Sequence, residues 1–217
     1  MPRPPSLAAS LALGTLPLSL VGDNAVLGEW IPSGCDDDRA GFPFWGAFGR
    51  VYRGWVKVKN GDMTGGVALL RSGLAAYRAT SAESWVTNYI ALLAMACEIA
   101  GEVGEALTRF DDALQVAERT GQRWFSAEMN RHKGQLLLRQ GHAEVAEELY
   151  LKALSIAVEQ EAKLWELRAA VSLARLRRDQ GRRAEAHALL APVYGWFTEG
   201  LDTPDLKKAK ALLDELA

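Results

Sequence analysis

Apolar positions along this chain recur at helical rather than alternating spacing. In the stretch that opens at Trp165, residues Trp165, Ala169, Ser172, Leu173 and Leu176 fall on one face at ~100° per residue. A glycine, Gly181, closes that stretch, because glycine tolerates the left-handed backbone that ends a helix. A second apolar stripe follows in "GRRAEAHALLAPVY". The pattern predicts an amphipathic helix, a tight corner and a second amphipathic helix.

The same phrase recurs. Gly61, Gly101, Gly141 and Gly181 are spaced 40 residues apart, and so are Trp45, Trp85, Phe125 and Trp165. Five places after each glycine stands a small residue: Gly66, Ala106, Ala146, Ala186. Nine places after it stands a larger apolar one: Leu70, Phe110, Tyr150, Leu190. The small residue lets two helices approach, and the larger one fills the space beside it. Each unit reads as an antiparallel helix pair, and stacked pairs make a solenoid. Gly66 and Gly73 replace alanines in the first unit, and helix propensity makes that pair the least stable.

A small residue also recurs in each first helix, at Gly54, Ala94, Gly134 and Ala174. With the corner glycine and the small and bulky residues after it, this resembles the tetratricopeptide repeat. The resemblance implies an all-α, right-handed superhelical solenoid. Its repeats fall at about 42–81, 82–121, 122–161 and 162–200. A partial helical repeat precedes them at 1–30, an acidic loop lies at 31–41, and a capping helix occupies 201–217. That last helix starts at Thr203–Pro204, an N-cap followed by a proline at the first helical position. The segment "WELRAAVSLARLRRDQGRRAEAHALLAPVYGWFTEGLDTPDLKKAKALLDEL" is similar to something narrower. It looks like the C-terminal helical-repeat region of bacterial multidomain signalling proteins related to adenylate cyclases and AAA-type ATPases.

Composition adds limits. The 217 residues carry a formal net charge of −2, which argues against a nucleic-acid partner. No apolar run spans a membrane without interruption by Gly, Pro or charge. Cys35 and Cys97 form no ligand cluster, and a reduced, cytoplasmic chain is the simplest reading. Residues 1–25 have the basic, apolar and small-residue order of a secretory signal. They also open a segment that imitates the later turn phrase, so a helix of a partial repeat competes with that reading. Loss of this segment would leave the first full pair uncapped, and the expectation is a homodimer through the N-terminal end.

Signals for chemistry are sparse. His132, His142 and His187 lack metal-ligand spacing, and Asp36, Asp37 and Asp38 lack the alternation of a calcium loop. There is no phosphate-binding G-x-x-x-x-G-K-[ST] and no G-x-S-x-G elbow. No cofactor and no catalytic residue is expected, and Cys97 reads as a buried structural thiol. The recurring tryptophans read as inter-repeat core.

The tetratricopeptide resemblance does imply a concave groove lined by the first helices. Its candidates are Phe48, Tyr52 and Trp55, then Asn88, Met95 and Glu98. They continue with Glu128, Arg131, Gln135 and Arg139, and end with Arg168, Arg175 and Arg178. The groove would grade from aromatic to arginine-rich, and guanidinium forks suit carboxylates and phosphates. The corner pair Arg182 and Arg183 would face solvent. The expected function is a non-catalytic protein–protein interaction or scaffold module of a bacterial signalling system that binds an acidic or C-terminal peptide, or a partner domain, in this groove. The alternative is a small-molecule sensing arm of a cyclase- or ATPase-type regulator.

Overall fold

The computed structural model describes residues 43–217. The partial repeat at 1–30 and the loop at 31–41, with Cys35 and the three aspartates, lie outside the described residues. Within them the chain is all-helical: α1 (Pro43–Lys59), α2 (Met63–Ala79), α3 (Val86–Ile99), α4 (Val103–Thr120), α5 (Ser126–Arg139), α6 (Ala143–Glu159), α7 (Lys163–Asp179), α8 (Arg183–Gly195) and α9 (Pro204–Leu216). They group into two compact units that divide after Arg119.

The corners follow one rule. Gly61, Gly101, Gly141 and Gly181 have φ of 96°, 81°, 88° and 80°. The next amide reaches back five residues each time: Asp62 to Lys57, Glu102 to Cys97, His142 to Leu137 and Arg182 to Arg177. This pair of features is the Schellman termination, which satisfies carbonyls that the helix end would orphan. Asp62 adds a side-chain cap by accepting from the Gly65 amide at 2.9 Å.

In the first unit α1 packs on α2, and α2 on α3. The α1–α2 seam is unusually close. A Cβ added at Gly66 would lie 2.5 Å from Val58 Cγ2 and 2.8 Å from the Gly54 carbonyl. One added at Gly73 would lie 2.8 Å from the Val51 amide nitrogen. The glycines that propensity marks as weak points are therefore required by backbone-to-backbone contact. An aromatic cluster fills the space towards α3: Tyr89 meets Tyr77 at 4.7 Å and Tyr52 at 6.1 Å, both edge-to-face.

In the second unit α5 pairs with α6 and α7 with α8, and α6 also packs on α7. Gly134 faces Tyr150, whose Cε1 would be 2.7 Å from an added Cβ. Ala146 and Ala186 are both fully buried. Enlarging Ala146 to leucine is expected to cost ~1–3 kcal/mol by overpacking, read as a lowered urea midpoint. An unchanged midpoint would mean that the helix-pair register is wrong. The recurring aromatics Phe125 and Trp165 are buried and pack edge-to-face at 5.4 Å.

Helix α8 is short. Pro192 lies inside it and removes an amide from its ladder. Helix α9 then buries Leu206, Ala209, Leu212 and Leu216 against Leu167, Ala170, Val171 and Leu190. It starts at Pro204 as the sequence predicts, but the Thr203 hydroxyl makes no capping bond.

Candidate functional site

The aromatic end of the expected groove is not an open surface. Tyr52, Trp55, Asn88 and Glu128 are 1%, 4%, 2% and 3% exposed. This corrects their reading as groove-lining contacts. In the first unit the large rings cover one another: Phe48, half-buried, stacks on Tyr52 at 4.7 Å and meets Tyr89 at 6.3 Å. The Asn88 amide donates to the Tyr52 hydroxyl at 3.3 Å. Burial pushes the Tyr52 and Tyr89 hydroxyls above the ordinary phenol range. Lys59 sits over the Trp55 ring at 5.4 Å. Met95 is half-buried on α3.

Cys97 is fully buried. Burial first, then the nearby Glu105 and Glu102, pushes its thiol up to about 12, so it is not a thiolate at neutral pH. Cys97, Glu102 and Glu105 place ligand-type atoms within 4.8 Å of one another. The Arg71 guanidinium already bridges the two carboxylates, at 2.7 and 2.6 Å.

The arginine end is more informative, and it lies wholly within the second unit. Glu128 on α5 is its centre. Its carboxylate accepts two bonds from Arg131, both at 2.7 Å, and one from Arg168 of α7 at 3.2 Å. His132 Nε2 stands 3.5 Å away. Burial alone would raise this carboxyl, but the Arg131 charge and hydrogen bonds, with those of His132, outweigh it. They hold Glu128 well below the usual carboxylate range. Arg168 also binds Asp205 of α9, through Nε at 2.9 Å and Nη2 at 2.7 Å, and covers the Trp165 ring at 5.1 Å. Arg131 and Arg168 are thus committed to internal partners. Asp205 carries half of this arrangement and had no signal in the sequence beyond its place at the start of the last helix.

The remaining basic residues differ. Glu128 and Arg168 touch although 40 residues apart, so residues at that spacing on α5 and α7 lie side by side. Gln135 and Arg175 keep the same spacing two turns further along, and Arg139 lies one turn beyond Gln135. Arg139 and Arg175 are exposed, and Gln135 is half-buried. Arg175 has no ion-pair partner among the described residues. Arg178 is taken by Asp179 at 2.9 Å and by Glu215 at 2.5 Å. At the outer corner, Arg182 is not simply solvated. It pairs with Glu147 at 2.9 Å and Glu185 at 2.7 Å. Arg183 donates to the Glu215 carbonyl.

No family model and no curated protein matches the chain. Solved structures do. BtubC (BKLC) from P. vanneervenii is 15% identical, with 96% of this chain and 89% of that one covered at a TM-score of 0.65. A Podosopora anserina protein described as a kinesin light chain, with nearly identical TPR-like repeats, is 19% identical. It covers 77% of this chain and 83% of its own at a TM-score of 0.60. A variant of it reaches 0.64 over 81% and 86%. The chain has the fold of TPR-like helical-repeat proteins.

Proposed function

We propose that this chain is a non-catalytic protein-interaction module whose second unit takes an anionic peptide segment on the face shared by Gln135, Arg139 and Arg175. The carrying observation is Arg175, which is exposed and has no ion-pair partner among the described residues, whereas Arg168 on the same helix is held by Glu128 and Asp205. Arg139 is exposed on the neighbouring first helix. Two guanidiniums beside an amide donor match a carboxylate or phosphate in charge and in fork geometry. The resemblance of the C-terminal segment to repeat regions of cyclase- and ATPase-type regulators supports a setting beside such a signalling domain, in the cytoplasm.

The test is fluorescence anisotropy with a labelled Asp/Glu-rich peptide. Replacing Arg139 and Arg175 together by alanine is expected to weaken binding roughly tenfold or more. Added salt weakens the wild-type complex, since exposed charges are screened within ~10 Å at 0.1 M. Replacing Arg182 and Arg183 leaves the affinity unchanged. Equal affinity of the two double variants would refute the assignment.

A further inference from the structure

A second surface of the same unit has the opposite character. Trp196 is 57% exposed, Leu201 48% and Val158 53%, three of the most exposed large apolar side chains among the described residues. Trp196 lies against Lys163, five residues after Val158, and Leu201 follows Trp196 by five residues in the chain. Trp196 caps the end of α8 and leads into the loop that carries Leu201. The Lys163 ammonium sits 5.6 Å over the Trp196 ring. Lys163 opens α7 directly after the turn that follows α6, and backbone bonds run from Lys163 to Glu161 and from Glu161 to Val158.

The rim is acidic. Glu159, Glu161, Glu199 and Asp202 flank these residues in sequence and are all exposed. None has an ion-pair partner among the described residues. Lys163 does not cancel them, because its charge is met by Glu166 at 2.7 Å. An exposed tryptophan with aliphatic neighbours and an uncompensated anionic rim is the composition of a binding anchor, not of an ordinary solvated loop.

We infer that the Val158–Trp196–Leu201 corner is a docking surface for a basic amphipathic segment of another protein. The apolar face of that segment covers Trp196 and Leu201, and its lysines or arginines meet Glu159, Glu161, Glu199 and Asp202. This surface is separate in residues and opposite in charge to the Arg139–Arg175 face, so it selects a different partner. An anionic membrane is disfavoured by the same rim.

The test uses a labelled amphipathic Leu/Lys peptide, with a Leu/Glu peptide of equal length as control. The full chain is expected to bind the first and not the second. Trp196→Ala weakens binding at least about tenfold, in line with loss of an aromatic anchor. Leu201→Ser and the pair Glu199→Lys with Asp202→Lys weaken it as well, while Arg139→Ala with Arg175→Ala has no effect. All these side chains are exposed, and circular dichroism confirms that each variant is folded. The inference is overturned if the Leu/Lys peptide fails to bind, or if Trp196→Ala binds it as the wild type does. Trp196-dependent sedimentation with phosphatidylserine vesicles, without peptide binding, would overturn it in favour of a lipid surface.

Discussion

Replacing Glu128 by alanine is expected to destabilise the second unit by roughly 3–5 kcal/mol, the usual cost of removing one partner from a buried ion pair. The side chain is 3% exposed, and Arg131 and Arg168 are 11% and 18% exposed. Without the carboxylate, Arg131 loses both of its 2.7 Å bonds and Arg168 loses its 3.2 Å bond to α5. The link from α5 through α7 to α9 is then broken at its centre. Hydrogen exchange resolves the effect better than a global melt, since repeat arrays need not unfold in one step. The amides of α5, α7 and α9 should lose protection together, and those of α1 and α2 should not.

The same group sets an acid response. Its folded pKa is depressed, so its contribution is fully present above the unfolded value of about 4.3. It is lost progressively as pH falls from there towards the lower folded value. Glu128→Gln should flatten that part of the stability-against-pH curve. A wild-type curve with the same acid slope as Glu128→Gln would contradict the pairing.

Gly66→Val is the second large effect. Helix propensity alone predicts a gain, because glycine inside a helix costs about 1 kcal/mol. Geometry decides otherwise. The new Cβ would stand 2.8 Å from both the Gly54 carbonyl and the Val58 amide nitrogen, and backbone atoms cannot turn aside as a side chain can. Helices α1 and α2 must separate, at ~3 kcal/mol or more. Gly104 is the control, since an added Cβ there meets nothing within 4 Å. Gly104→Ala should be neutral or stabilising by up to about 1 kcal/mol. Urea denaturation lowers the midpoint of Gly66→Val and does not lower that of Gly104→Ala if the seam is as close as described.

Much of the fold was legible because it rests on local rules. The corner glycines announce their positive φ, and the small and bulky residues that follow announce a close helix pair. The candidate site was less legible, because its meaning depends on contacts 37 and 40 residues away. Nothing local in the sequence distinguishes Arg168, which reaches Asp205 and Glu128, from Arg175, which is exposed. Glu128 reads locally as an exposed helix residue, yet it is the buried anion that fixes two arginines. Tyr52 and Trp55 were placed on a groove by repeat position alone, and the mutual packing of large rings in the first unit buries them instead. Gly66 and Gly73 show the converse. Propensity marks them as flaws, and only the distance between α1 and α2 shows that no other residue fits there.

The most direct measurement is an NMR titration that follows the arginine Nε–Hε resonances while an Asp/Glu-rich peptide is added. The signals of Arg139 and Arg175 should shift saturably with the peptide and return on addition of salt. Those of Arg131 and Arg168, held by Glu128 and Asp205, should stay in place. Shifts confined to Arg131 and Arg168, or spread evenly over every arginine of the chain, would contradict the division between framework and binding residues.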